Sequence, residues 1–247
     1  MMLSDDSISS LISIGERGFY FQRLQDIYRE IPQTICKCCG ECCRHGPRVY
    51  MTEYLHIYRA MKNMSHDKFS QIVKKTIRYG FLSLVDTSLS CPFLEDGKCI
   101  IYDHRAFNCR TWGHSSEEEY YFYIEKARKE LESERDFWLN HFEIQIPDSI
   151  VHGHKTFCTN MKLTGSAQLT AEKRKLQEGK IERLENLFIQ ESMMPDEGGV
   201  LELPLFICLT FIGSAQFFNS RPRIMKEYLE NGNSGFLEEL ITIHFNG

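Results

Sequence analysis

The stretch Cys36-Lys37-Cys38-Cys39-Gly40-Glu41-Cys42-Cys43 places five of the chain's ten cysteines within eight positions. Thiols set this close either pair as disulfides or bind metal, and the cellular compartment decides between the two uses. The chain opens Met1-Met2-Leu3-Ser4-Asp5-Asp6, without the basic start and apolar core of an export signal. A cytoplasmic chain with reduced thiols is therefore expected, and metal binding is the favoured use of the cluster.

Inside the stretch, Cys36, Cys39 and Cys42 recur every third residue. This C-x2-C-x2-C interval wraps three thiolates around an iron–sulfur cluster, and C-x2-C pairs also supply neighbouring corners of a tetrahedral zinc site. Thiolate softness excludes magnesium and calcium but leaves both iron and zinc. Cys42 and Cys43 are consecutive, so their side chains point in different directions and can serve different metals. Cys38 competes with Cys36 for a ligand position, and the regular interval favours Cys36.

Outward from this stretch, a second group reads Cys91-Pro92-Phe93-Leu94-Glu95-Asp96-Gly97-Lys98-Cys99 and then Cys109-Arg110. Glycine, proline and charge around these thiols suit a metal loop better than a buried core, with one hairpin expected between residues 91 and 112. Cys158 stands in Phe157-Cys158-Thr159-Asn160, and Cys208, inside an apolar run, reads as a core residue.

Helical patterns surround both groups. Apolar residues from Ile8 to Ile31 recur at helical intervals, predicting one amphipathic helix that ends at Pro32. Thr52 is placed to cap a helix through Met64, and Ser65 one that reaches Leu82. Ser115 and Ser116 precede three glutamates and open a long helix to Phe142, on which Tyr120 to Tyr123 are expected in the core. Thr170 opens a further helix carrying the stripe Leu176, Ile181, Leu184, Leu187 and Phe188. The apolar run from Leu203 to Phe218 is interrupted by Pro204, Gly213 and Gln216, short of the roughly 20 residues of a spanning helix. It is expected to be buried, with no membrane contact. A helix starting near Ser220 and Pro222 and a last one around Phe236 to Ile243 complete the chain. The fold class expected is mainly α, with cysteine-rich metal-binding loops between helices. We expect a cysteine-cluster domain over residues 1–160 and a helical extension over 161–247 packed on it.

A net charge of -5 on 247 residues leaves no electrostatic footprint for nucleic acid, which is excluded as a partner, whereas a protein partner stays open. No P-loop, glycine-rich nucleotide loop or Ser/His/Asp constellation stands out.

The combined motifs resemble a known family. Cys36 to Cys43, then Cys-Pro-Phe-Leu from Cys91, Gly97-Lys98-Cys99-Ile100-Ile101-Tyr102, Arg105 and Cys109-Arg110 are similar to the YkgJ-type cysteine-cluster family in identity and order. The resemblance implies a domain that chelates zinc or iron. Ala106 stands where that family usually has proline, a change that affects loop rigidity and removes no ligand. Longer relatives carry a Phe-Cys-x-Asn motif, to which Phe157 to Asn160 are similar. The implied ligand set is Cys36, Cys39, Cys42, Cys43, Cys91, Cys99, Cys109 and Cys158, enough thiolates for two four-thiolate sites or for one cluster with additional structural thiols.

Among the histidines, His45, His104, His114, His152 and His154 lie near cysteines in sequence, with His152 and His154 ahead of Cys158 the best placed for a ligand role. Arg44, Arg105 and Arg110 are candidates to support thiolate charge by hydrogen bonding. The functions implied are an iron–sulfur or zinc protein in redox, sensing or metal handling; an enzyme similar to flagellin lysine N-methylases, whose cysteine arrangement the motifs resemble more distantly; or a zinc-stapled scaffold for another protein.

Overall fold

The computed structural model describes residues 5–36, 40, 43, 46–153, 157, 161–164, 169–193 and 199–245. Three of its helices begin where side-chain oxygens can accept the first orphan N–H groups. Ser65 accepts from Lys68 to open α4 (His66–Leu82), Ser116 accepts from Glu119 to open α6 (Glu117–Phe142), and Thr170 accepts from Lys173 to open α8 (Ala171–Ser192). The chain is mainly α, as its patterning predicts.

The amphipathic pattern from residue 5 to 31 is not one helix. It divides into α1 (Asp5–Arg17) and α2 (Tyr20–Arg29), because Phe19 takes a left-handed conformation at φ 56°. Gly18 is a poor helix former at the break, and the turn swings Tyr20 and Phe21 into the core, where each is 4% exposed.

The next helix, α3 (Met51–Lys62), starts at Tyr50 and not at Thr52. A carboxylate from a distant element decides this: Glu185 of α8 accepts from the backbone N–H of Met51 and Thr52 and from the Thr52 hydroxyl. Thr52 is thereby used inside the first turn, and an external side chain does the capping.

The apolar run is the centre of the packing. Residues of α9 (Leu203–Ile212) lie against α4, the most extensive helix pair in the fold, and Phe206, Ile207 and Cys208 are buried. Phe206 stacks on Tyr54 of α3 at 5.0 Å, and the Tyr54 hydroxyl meets Thr210 at 2.6 Å. Gly213, at φ 80°, adopts a conformation that a side chain would oppose, and the chain turns there by 106° into α10 (Ser214–Asn231). The expected start of α10 near Ser220 and Pro222 is therefore late: proline lies inside the helix, and the glycine turn sets its beginning. Phe217 of α10 packs on Phe81 of α4 at 4.8 Å, and α11 (Gly235–Phe245) closes against α4. Among the described residues no single helix is long and apolar enough to cross a membrane; α9 and α10 pass that test only together.

Short antiparallel pairs tie the loops. β1 (Thr34–Cys36) pairs with β5 (Met161–Leu163), setting Cys36 opposite Met161, and β2 (Arg48–Val49) pairs with β6 (Leu201–Glu202). The expected hairpin is β3 (Leu94–Glu95) with β4 (Lys98–Cys99), joined by Asp96 and Gly97, both at positive φ as the tight primed turn requires. Two short helices, α5 (Phe107–Thr111) and α7 (Asp148–Val151), are additions that periodicity did not predict.

Of the four aromatic residues expected in the core of α6, only Tyr120 is buried. Tyr121, Phe122 and Tyr123 are 50%, 68% and 55% exposed, since consecutive helical residues cannot share one face. In α8 likewise Ile181, Leu184 and Phe188 face inward, while Leu176 and Leu187 are exposed.

Candidate metal centre

The Cys43 carbonyl accepts a hydrogen bond of 2.7 Å from the Cys91 N–H, so the end of the first cysteine group is stitched to the start of the second. Cys99 sits on β4 opposite Leu94, and Cys109 lies in the middle of α5. These four cysteines, drawn from three separate segments, line one cavity of about 410 Å³ with Phe93, Ile101, Phe107 and Trp112 among its apolar walls. Arg105 and Arg174 also border it.

The remaining predicted ligands stand differently. The backbone of Cys36 belongs to β1, whereas Cys39, Cys42 and Cys158, with the rival Cys38, lie outside the described residues, as do Arg44, His45 and His154. Among the described residues no group of three Cys, His, Asp or Glu side chains is arranged to hold a metal ion. His104 is directed elsewhere, its Nδ1 3.3 Å from Nε2 of the buried His56, and His152 is exposed after α7. Cys208 is the core residue expected: it is fully buried and burial pushes its thiol pKa up, keeping it neutral.

The helix that carries Cys109 has five residues and cannot hold itself together by backbone bonds alone. Glu53 of α3 holds its start. Oε1 of Glu53 accepts from the Phe107 N–H at 2.7 Å and from the Tyr28 hydroxyl at 2.5 Å, and Oε2 accepts from the Tyr50 N–H at 3.1 Å. Next to Cys109, the Arg110 guanidinium lies over the Tyr28 ring at 4.4 Å and donates to the carbonyls of Arg105 and Asp103. Burial lowers the Arg110 pKa, and Tyr28 and the neighbouring Cys109 oppose that shift. Arg105 is fixed over the Tyr102 ring at 3.6 Å. The expected arginine supports are thus ordered by aromatic faces and backbone carbonyls.

Glu53 and Glu185 escaped the sequence reading because surface glutamates look the same in a sequence; only tertiary packing buries each to 2% exposure. Burial pushes both carboxyl pKa values up, and the charge of Glu185 raises Glu53 further. With a raised folded pKa, each group is protonated in the folded chain at pH values where the unfolded chain has released the proton. Their contribution to stability is therefore greatest at low pH and declines as pH rises from the ordinary value of 4.5 through the raised values. Glu185→Gln is expected to flatten the decline of the urea midpoint as pH rises above the ordinary value of 4.5. An unchanged slope would show that Glu185 does not contribute to it.

The donor set fits a soft metal. Thiols line the space together with apolar side chains and with Arg105 and Arg174. Residues 35–132 match the model of the CxxCxxCC family, described as "Putative zinc- or iron-chelating domain". The matched stretch contains every cysteine of the implied ligand set except Cys158. No curated protein and no solved structure matches the chain. The order of motifs from Cys36 to Arg110, the shared cavity and the matched stretch agree in what they imply, and residues 35–132 are similar to the CxxCxxCC family.

Proposed function

We propose that this chain is an iron–sulfur protein, its cluster ligands drawn from Cys36, Cys39, Cys42, Cys43, Cys91, Cys99, Cys109 and Cys158. The observation that carries this reading is the convergence of four cysteines from three segments on one cavity of about 410 Å³. That volume suits a multi-atom cluster, and the three-residue interval at Cys36, Cys39 and Cys42 is of the kind that wraps iron–sulfur clusters. When bound, such a cluster supplies one-electron transfer, which fits a redox or sensing role.

The chain's own contribution is placement and electrostatics. Glu53 anchors the helix bearing Cys109, the bond between Cys43 and Cys91 holds two donors on adjoining backbone, and Arg110 lies beside Cys109, where its charge favours the thiolate.

Anaerobic purification of the full chain, followed by iron, sulfide and zinc analysis with a visible spectrum, tests this reading. About four irons per chain with matching sulfide indicate one cubane cluster, and about eight indicate two. Colourless protein with stoichiometric zinc and no sulfide would overturn the iron–sulfur reading and leave a four-thiolate zinc staple.

A further inference from the structure

His56 stands in the middle of α3, 3% exposed, with its ring against that of Phe21. Its Nε2 faces two other nitrogens: the Gln25 amide of α2 at 2.7 Å and His104 Nδ1 at 3.3 Å. Its own Nδ1 is buried and has no hydrogen-bond partner among the described residues. An amide nitrogen can only donate, and His104 Nδ1 donates when it carries its proton, so the arrangement closes when His56 Nε2 is a bare lone pair. A proton on that atom removes the acceptor that both neighbours use.

The charges around the pair act in the same direction. Burial opposes a proton on either ring, and at His56 the facing His104, then Arg59 of α3 and Arg110 of α5, add to it, lowering its pKa to about 3. At His104 burial, Arg110 and Arg59 also lower the pKa, against Asp103, which favours the charged ring. Glu16 of α1 pairs with Arg59 at 3.0 Å, and the Tyr28 ring of α2 lies under Arg110. Because both folded values fall below the ordinary 6.5, the contact is fully stabilising above that pH. It weakens as pH falls below 6.5, where the opened rings take up protons that the closed pair refuses.

His104 ends the single helical turn Tyr102–His104, which lies between Cys99 and Cys109. The carbonyls of Asp103 and Arg105 accept from Arg110 at 2.5 and 2.7 Å, and Arg110 is the sequence neighbour of Cys109. Tyr102 and Arg105, from the same segment, border the thiol-lined cavity. Docking His104 on α3 therefore holds one wall of that cavity and the acceptors that order Arg110. We propose that the contact between His56 and His104 is an acid-released latch on the thiol-lined cavity, a proposal that rests on the metal-binding reading above. When the latch opens, the turn leaves α3, Arg110 loses its carbonyl acceptors, and metal departs faster.

Hydrogen exchange in the metal-free full chain tests the latch itself. It is read by NMR at the His104 amide, which donates to the Ile101 carbonyl at 2.9 Å, and at the Arg110 Nε–H. Wild-type protection should fall as pH drops below 6.5, approaching about tenfold per pH unit for each histidine that opens. His104→Gln keeps an N–H for His56 but cannot titrate, so its protection should stay flat. Constant wild-type protection down to about pH 5, or an equal fall in His104→Gln, would overturn the proposal. The second arm loads the full chain with zinc, and in parallel anaerobically with ferrous iron and sulfide, and follows release to a chromogenic chelator. Acid speeds release from any thiolate site, so the readout is the ratio of wild-type to His104→Gln rates, expected to rise as pH falls. A constant ratio would overturn the link between the latch and the metal. A chain that retains neither metal would overturn the metal-binding reading instead, while exchange at His104 still decides whether the contact opens in acid.

Discussion

Replacing Cys43, Cys91, Cys99 and Cys109 together by serine is expected to abolish metal retention in the cavity they share, and Cys109→Ser alone to weaken it more than about 100-fold. The lower bound follows from the ten- to hundredfold loss typical when only a partner supporting a ligand is removed. Serine retains the size of cysteine but presents a hard, scarcely ionisable oxygen where the centre needs a thiolate. The four positions are expected to act as a unit, since they border a single space and Cys43 and Cys91 share a backbone hydrogen bond. Cys208→Ala is the matched control. Its thiol is fully buried in the packing of α9 against α4, away from the cavity lining, so the variant should retain full metal content and lose about 1 kcal/mol of stability. Competition with a chromogenic chelator measures both. Equal metal affinity in Cys109→Ser and wild type would remove Cys109 from the ligand set.

The second large effect is expected at Glu53. Glu53→Ala leaves the N–H groups of Phe107 and Tyr50 and the Tyr28 hydroxyl without their acceptor in a buried site. Each such group costs about 1–3 kcal/mol, so a loss of about 3–5 kcal/mol is expected after partial relaxation. Glu53→Gln should cost less, about 1–3 kcal/mol, because its carbonyl can still accept from Phe107 and Tyr28 while its amide group opposes the Tyr50 N–H. Since Glu53 holds the first turn of the helix that carries Cys109, metal affinity should fall with stability in both variants, and further in the alanine one. Urea denaturation with and without metal separates the two effects. Unfolding of Glu53→Ala within about 0.5 kcal/mol of wild type, the range of an ordinary surface change, would show that the network contributes nothing.

Much of this organisation is legible in the residues. Ser65, Ser116 and Thr170 mark helix starts because a hydroxyl three residues before a backbone N–H is a local interaction, independent of the rest of the chain. The Asp96-Gly97 turn is similarly local. The spacing of Cys36, Cys39 and Cys42 and the order of motifs down to Cys109-Arg110 declare the metal chemistry, since thiolate preference for soft metals belongs to the side chain itself.

Other features depend on distance in sequence. The start of α3 moved from Thr52 because Glu185, over a hundred residues away, supplies the cap. The break at Phe19 and the turn at Gly213 serve packing that no local pattern encodes. Thus the sequence by itself determined a mainly helical chain with a thiol-rich metal region. Only the tertiary structure decided that Cys43, Cys91, Cys99 and Cys109 border one cavity and that Glu53 holds one of their helices. The physical reason is the range of the forces. Capping and ligand softness act within a few bonds of the side chain, whereas burial and convergence on a cavity arise only when segments remote in sequence pack together.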